Sequence, residues 1–298
     1  MYIELTKRTT YTAEISGRTL AGLEKESEWN GQIKLVQPET GLFLIVMPKV
    51  GLIVDGSESL IDELLAPTVE PGYVHIPGRT IKIGNYSIEV APFSVAQLMG
   101  CVDADGKAYV SETEKPRVNI NYYKSVEACK LAGGGLIRGS QHIAIGMDIM
   151  SVDANWSGGK VGEGILRRGL HRGTVSGAQP GTYVSPHADE NRYFLLPDGS
   201  SIRDYSGHIF SWMFDDIHGD ANGLTGKIPA DSPYLTFAAQ FTREQGIGWL
   251  PSLPCDWSGR ALIRGGCWYS GGVAGVFSLD GGWPVGGGRN VGFRSTKP

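Results

Sequence analysis

Few side chains in this 298-residue chain are spaced to do chemistry together. Soft-metal or redox chemistry needs paired thiols or thiol–imidazole sets. Cys101, Cys129, Cys255 and Cys267 form no CxxC and no metal-like spacing, so free buried or loop thiols are expected. His75, His142, His171, His187, His208 and His218 include no HxH or HxxxH pair. Hard-cation chemistry has one candidate. Asp215, Asp216, Asp220 and Asn222 gather oxygen ligands in the Gly-containing run DDIHGDANG. In the frame of an EF-hand loop set by Asp216, however, Ala221 stands where glycine is needed and Lys227 where a bidentate Glu is needed. Calcium is therefore the lesser alternative to an Asx-turn loop, and no other cofactor is implied. Asp256 and Asp280 are lone acids. No GxSxG, Walker-type loop or paired-carboxylate motif supplies another reaction.

The chemistry of recognition is better served. Arg264 to Arg294 reads RGGCWYSGGVAGVFSLDGGWPVGGGRNVGFR, with little helical period or strand alternation between its ends. Tyr and Trp supply rigid contact area at low entropy cost, and Ser and Gly adapt around them. Glycine also opens backbone conformations closed to other residues. Two regular ends around an adaptable middle fit a scaffold that displays a surface, with a plain Gly-rich closing loop as the alternative.

The elements that must hold this segment are legible in part. Hydrophobic residues are 41% and charged residues 19%, which marks a globular chain, and 43 glycines favour a loop-rich one. The net charge is −4 with no Lys/Arg run, so nucleic acid and anionic membrane are poor partners. No apolar run reaches the roughly 20 residues of a membrane span. The start, MYIELTKRTTYTAEISG, does not read as a signal peptide. Residues 1–70 read as a small β-rich unit. Ile33–Gln37, Gly41–Met47 and Gly51–Gly56 are strand-like, with a turn at Pro38–Gly41, a short helix capped by Ser57 through Ala66, and a linker at Pro67 and Pro71. In residues 71–298, Val126, Cys129 and Leu131 suit the core face of a helix ended by Gly133–Gly135. The Gly- and Ser-rich stretch Met150–Asp189 reads as inserted loops. Trp156, Arg167, Arg168 and His171 within it are expected to serve local packing and solvated charge, with framing of a binding face the lesser reading.

Several of these motifs carry a family resemblance. The ends of the last segment resemble RGGSW and N(I/L/V)GFR of the formylglycine-generating-enzyme branch of the C-type lectin fold. Val74–Gly84 (VHIPGRTIKIG) is similar to that branch's opening strand pair, and Tyr86–Gly100 (YSIEVAPFSVAQLMG) to its strand followed by a helix. Pro116–Ile137 is similar to its first long helix. Arg138–Ile149 takes the place of the second, with His142 where Trp is usual. Asp204–Asp215 (DYSGHIFSWMFD) looks like DmxGNVWEWvxD, and on that resemblance Phe210 and Trp212 are expected to bury aromatic area on alternate faces of a strand. The middle, WYSGGVAGVFSL, resembles the variable proteins of diversity-generating retroelements, in which Asn codons are rewritten around a fixed AGVF core.

The resemblance implies an α+β, loop-rich C-type lectin fold behind a small β-rich N-terminal extension, with a variable C-terminal segment at 264–294. It implies a non-enzymatic protein that binds a host or cell-surface protein or glycan. The fixed positions would be Trp268, Gly275, Phe277, Gly292 and Phe293. Recognition would fall to Tyr269, Ser270, Gly272, Val273, Asp280, Gly282, Trp283, Gly286, Gly288 and Arg289. An AAC codon altered at its first two bases yields the Tyr, Ser, Val, Asp, Gly and Arg found there, whereas Trp283 does not arise from AAC. A virion tail tip or the cell surface is the implied location, and a homo-oligomer is allowed with no number fixed. The first alternative is a formylglycine-generating-type oxidase with altered chemistry. That reaction needs two cysteines holding copper just after RGGS, and here only Cys267 lies in the segment. The second is a purely structural virion module.

Overall fold

The computed structural model describes residues 9–15, 18–21, 34–37, 43–47, 50–54, 69–236 and 241–298. The chain divides into two units, Met1–Thr68 and Val69–Pro298. In the first, β1 (Thr9–Ile15), β2 (Arg18–Ala21), β3 (Lys34–Gln37), β4 (Phe43–Met47) and β5 (Val50–Val54) form an antiparallel sheet in the order β2-β1-β3-β4-β5. The turn expected at Pro38–Gly41 and the helix expected from Ser57 to Ala66 lie outside the described residues.

The second unit is a mixed α+β, loop-rich assembly of small sheets and few helices. Its first hairpins are β6 (Tyr73–Ile76), β7 (Arg79–Ile83), β8 (Tyr86–Val90) and β9 (Phe93–Ala96), with β10 (Cys101–Val102) and β11 (Ala108–Tyr109) following. The helix expected after Tyr86–Val90 is replaced by β9 and an extended run. Gly100 donates to Phe293 O and its own carbonyl accepts from Arg117, at 2.8 and 2.9 Å, so this backbone is spent on neighbours rather than on a helix. A Cβ at Gly100 would fall 2.4 Å from the Phe293 ring, which explains the glycine.

Helix α1 (Tyr122–Leu131) begins at Asn121, whose Oδ1 accepts from Lys124 N, and ends before Gly133 at φ +78°. Cys129 is enclosed as expected, but Leu131 is 52% exposed, because the last turn runs out beyond the core. Strand β12 (Gly135–Leu136) leads into helix α2 (Gly139–Ser151). Its first turn is capped from outside: Asp216 accepts from the Ser140 amide at 2.9 Å and from the Ser140 hydroxyl. The remaining strands are β13 (Tyr193–Leu195), β14 (Ser201–Arg203), β15 (Phe210–Met213), β16 (Gly219–Asp220), β17 (Gly223–Leu224), β18 (Ala261–Arg264), β19 (Leu279–Gly282), β20 (Val291–Phe293) and β21 (Ser295–Lys297).

Two sheets hold the unit. In the order β12-β21-β9-β6, the last strand of the unit pairs beside its first hairpins, and Tyr73 Oη meets Ser295 Oγ at 2.9 Å. In the order β19-β18-β15-β20, the last segment supplies both edges. The register sets Trp212 opposite Ile263 on one side and Phe293 on the other, and Phe210 opposite Val291. Phe210 and Trp212 therefore share a face, contrary to the expectation of alternate faces, since residues two apart on a strand point the same way. That face packs on α1 through Tyr122, Ala128 and Cys129. The opposite face, with Met213, Leu262 and Leu279, packs on Ile143, Ala144 and Ile149 of α2.

A buried ion pair ties the strands together. Arg192 grips Asp204 with two prongs, Nε to Oδ1 at 2.7 Å and Nη2 to Oδ2 at 2.6 Å, and both side chains are at least 96% enclosed. His208 Nδ1 lies 3.1 Å from Asp204 Oδ2 without hydrogen-bond alignment, so that contact is electrostatic. Burial pushes the Asp204 carboxyl up, but His208 and Arg192 overcome this and hold it well below the usual carboxylate range. An acid whose pKa falls on folding stabilises the fold above its unfolded value of about 3.9, and the gain is lost as pH falls below it. Urea unfolding of the wild-type chain is thus expected to lose stability between about pH 5 and pH 2. Asp204→Asn is expected to lower the pH 7 stability by about 3–5 kcal/mol and to flatten that acid limb. An equally steep limb in the variant would remove Asp204 as its cause.

Candidate ligand-binding surface

The last segment alternates between enclosed anchors and exposed side chains. After β18, Gly265 and Gly266 turn the chain at φ +94° and +83°. A Cβ at Gly266 would lie 2.8 Å from Ala274 Cα, so the loop closes on itself only with glycine there. Trp268 is 2% exposed and packs with Met99, Leu170, Ala178 and Ile209. The next residue, Tyr269, is 54% exposed and sets its ring edge-on to Trp268. Ser270 Oγ accepts from Cys267 N at 2.8 Å and closes a tight turn, which a short 3-10 turn at Gly271–Val273 extends. Ala274 to Leu279 are then buried again. A Cβ at Gly275 would fall 2.2 Å from Gly248 N, and Phe277 sits so close to α2 that a Cβ at Gly146 would meet its ring at 2.5 Å.

The structure brings the ten candidate residues to two ends of one sheet. None of them is buried. Tyr269, Ser270, Gly272, Val273 and Arg289 gather at the end where β18 stops and β20 starts. There Asn290 Nδ2 donates to Tyr269 Oη at 2.8 Å, and the Arg289 guanidinium stands 5.9 Å from the centre of the Trp268 ring. Asp280 and Gly282 lie along edge strand β19, and Trp283 just past it, at the opposite end. Trp283 is 61% exposed and carries the Arg260 guanidinium over its ring at 4.6 Å. Gly286 and Gly288 belong to the loop that returns to the first end. This loop is fastened by Tyr122 N to Pro284 O at 3.1 Å and Asn119 N to Gly288 O at 2.9 Å.

The glycines among the ten differ in freedom. A Cβ at Gly272 meets nothing within 4 Å, whereas one at Gly282 would lie 2.6 Å from the buried Trp212 ring. One at Gly288 would lie 2.8 Å from Asn290 Oδ1.

Two segments frame this surface; the sequence offered the first, at His171, only as the lesser reading and gave no sign of the second. On one side, Gly173 N donates to Trp268 O at 2.6 Å and Gly271 N to His171 O at 2.8 Å. On the other, Trp249 N donates to Val273 O and Phe277 N to Ile247 O, at 2.9 and 2.8 Å. The first frame is pinned by Glu190, which accepts from His171 N, Arg172 N, Thr174 Oγ1 and Ser185 Oγ. Burial raises the Glu190 carboxyl, and these donors more than reverse the shift. His171 is buried rather than solvated, and Trp156 is fully enclosed with Nε1 donating to Met150 O. Arg167 and Arg168 each donate to a backbone carbonyl, of Ala154 and of Arg243. No periodicity marks these residues. Only the glycine and serine content of the stretch hints at a loop that must fold on local polar contacts.

The remaining chemical candidates are dispersed. Asp215 accepts from Tyr234 Oη and from the amides of Ile217 and His218, Asp216 caps α2, and Asp220 accepts from Asn222 N. No group of three or more His, Cys, Asp or Glu among the described residues is placed to hold a metal ion. The four thiols are free. Burial pushes Cys101 up to about 11 and Cys129 up to about 12, so neither is a ready thiolate. Cys267 is enclosed, with Ser270 Oγ 3.3 Å and Asn290 Nδ2 3.6 Å from its sulfur. No helix among the described residues is long and apolar enough to cross a membrane.

No protein-family model and no curated protein sequence matches the chain. Among solved structures it is similar to PvdO from Pseudomonas aeruginosa, at 14% identity over 75% of this chain and 93% of that one, with a TM-score of 0.39. It is similar to Treponema denticola variable protein 1, at 13% identity over 76% of this chain and 94% of that one, with a TM-score of 0.42. The U1 variant of the Major Tropism Determinant matches at 12% identity over 99% of this chain and 73% of that one, with a TM-score of 0.37. These likenesses are distant.

The packing sorts neighbouring positions by cost. Trp268→Ala is expected to destabilise the unit by about 3–5 kcal/mol, and Gly282→Ala, which forces Trp212 to move, by about 1–3 kcal/mol. Tyr269→Ala and Gly272→Ala are expected to stay within about 0.5 kcal/mol of wild type. Denaturant unfolding of the four variants checks the order, and a Tyr269→Ala loss as large as that of Trp268→Ala would overturn the assignment of the surface.

Proposed function

We propose that the chain is a non-enzymatic ligand-binding protein with a C-type lectin scaffold. It is built like the variable proteins of diversity-generating retroelements and presents changeable side chains to a host or cell-surface protein or glycan. One observation carries the reading. Within the last segment, each position that the sequence resemblance assigns to the scaffold is enclosed: Trp268, Gly275, Phe277, Gly292 and Phe293. None of the ten assigned to recognition is. A side chain outside the core can be exchanged at less cost to its support than an enclosed one, so affinity can change while the fold stays.

The exposed set has the character of a contact surface. Tyr269 and Trp283 are large aromatics, and Arg289 and Arg260 lie over Trp faces. Tyr, Trp and Arg are the side chains that most often dominate binding energy. Exposed main-chain and glycine positions between them leave room for a partner to approach. The location that suits this role is a virion tail tip or a cell surface. Against catalysis stands the residue inventory itself: the oxidase of this branch uses two cysteines, and Cys267 has no second thiol in the segment.

The test is genetic. In sibling isolates, changes in this gene are expected to concentrate at Tyr269, Ser270, Val273 and Asp280, with AGVF and NVGFR unchanged. Neighbouring DNA is expected to carry a reverse transcriptase gene and an adenine-rich near-copy of the segment encoding Cys267 to Arg289. An invariant segment with no such copy would overturn the reading and favour an altered oxidase, to be assayed by copper loading and turnover of a cysteine-containing peptide.

A further inference from the structure

The second end of the sheet carries an aromatic side chain that the fold does not use. Trp283 is 61% exposed and belongs to no apolar cluster of the core among the described residues. Tryptophan is highly buried on average, so a ring left in water calls for a reason. This ring is nevertheless fixed. The Arg260 guanidinium covers one face at 4.6 Å and is itself tied through Nη1 to Gly281 O at 3.1 Å. The other face is left to solvent.

Four side chains meet around Gly281. Strand β19 has a sheet neighbour on one side only, β18. The Gly281 amide donates to Asp280 Oδ1 at 2.7 Å and its carbonyl accepts from Arg260, which sets a carboxylate and a guanidinium on the two main-chain groups of one residue. A Cβ there would fall 3.0 Å from the Trp257 ring and 3.1 Å from Arg260 Cδ, so these side chains close over a position that only glycine leaves flat. Trp257 and Trp283 thus stand beside one guanidinium and one carboxylate.

The polar groups of this cluster have capacity to spare. Arg260 Nε and Nη2 and Asp280 Oδ2 make no hydrogen bond among the described residues. One positive and one negative charge leave the cluster neutral. Asp256, one residue before Trp257, is held by its own loop, where Oδ1 accepts from Ser258 N and Ser258 Oγ. No excess of positive charge awaits an anion. The exposed large apolar side chains of this part of the last segment are Trp283 and Val285 alone, whereas a protein partner covers about 800 Å² on each side.

We propose that this end of the sheet binds one neutral pyranose ring of a glycan, stacked on the open face of Trp283. A pyranose presents C–H groups on its ring face and hydroxyls on its rim. The C–H groups suit the negative face of an indole. Each hydroxyl both donates and accepts, so a rim of hydroxyls satisfies a guanidinium and a carboxylate side by side, where an anion or a cation would meet one like charge. The site is separate from the surface at the first end. Trp257 and Arg260 precede the last segment, Trp283 does not arise from AAC, and of the four side chains only Asp280 and Trp283 were among the ten recognition candidates. The inference goes beyond the proposed binding role and stands whether or not the first end varies.

The test uses the full chain labelled with 5-fluorotryptophan, in which Trp283→Phe assigns the Trp283 resonance. The probes are the methyl glycosides of glucose, galactose, mannose and N-acetylglucosamine and trisaccharides of the same sugars. At least one is expected to shift the Trp283 signal with a Kd on the order of 1 mM, and saturation transfer is expected to be strongest at the C–H protons of one ring face. Trp283→Ala is expected to weaken binding more than about tenfold while keeping the wild-type denaturant midpoint, so lost binding is not lost fold. Tyr269→Ala, at the other end, is expected to bind as wild type does. Silence from every neutral probe overturns the proposal, as does unchanged binding in Trp283→Ala. Tighter binding of a glucuronide or sialoside at Trp283 makes this an anion site and rejects the neutral ring. A dimer that Trp283→Ala abolishes gives the face to a second copy and rejects it too. An invariant last segment among isolates would remove the proposed diversified role and leave this site untouched.

Discussion

The Arg294 guanidinium is enclosed in the protein, and its donors reach backbone carbonyls of two distant strands, Ala96 in β9 and Arg203 in β14. Removing a guanidinium from water costs several kcal/mol. The cost is offset only when the charge finds acceptors in fixed positions, here two carbonyls, a thioether and the face of Tyr205. Burial still lowers the Arg294 pKa to about 10, which measures how little solvation remains. This constraint fixes the end of β20 to the β6–β9 hairpins and to β14 at once. Arg264, equally enclosed at the start of the segment, donates to Phe277 O and lies over the Tyr234 ring. The stretch between them is therefore clamped at both ends by groups that cannot move without exposing a buried charge.

Clamped ends change what the middle must do. An ordinary loop holds its shape through its own side chains, so changing them changes the loop. Here the shape is set by enclosed anchors, Trp268 and Ala274 to Leu279, and by main-chain bonds to segments 170–173 and 246–249. Main-chain bonds are indifferent to side-chain identity. Tyr269, Gly272 and Val273 can then be read as passengers on a backbone held by others. Gly282 is the exception: although partly exposed, it gives the Trp212 ring its space, so exposure alone does not mark a position as exchangeable.

Much of this frame was legible in the residues and much was not. The ends of the segment, RGGCW and NVGFR, could be read because both are compact runs of glycine, aromatic and arginine whose meaning does not depend on distant partners. Helix α1 was legible from Val126, Cys129 and the glycines at 133–135, although the spacing placed Leu131 inside when the final turn leaves the core. The run Tyr86–Gly100 misled because strand and helix formers follow one another there, and the outcome was decided by Phe293, far away in sequence and packed where Gly100 has no side chain. The Arg192–Asp204 pair and the Glu190 hub left no trace, since long-range polar contacts have no period.

The least legible part of the chain is also the part that gives the surface its rigidity. The stretch from Met150 to Asp189 has the composition of inserted loops, yet Glu190 gathers four donors from it and ties residues 171–174 to 185. That stretch donates through Gly173 to Trp268 and accepts through His171 from Gly271, directly under Tyr269 and Ser270. A carboxylate held in its charged form by neighbouring amides and hydroxyls is a stronger tie than neutral hydrogen bonds would be. The consequence is a set of exposed side chains that rest on a polar network rather than on apolar packing alone. In the proposed binding role, rigid support of this kind would spare a ligand the cost of ordering the loop, so contacts at Tyr269 and Arg289 would translate more fully into affinity.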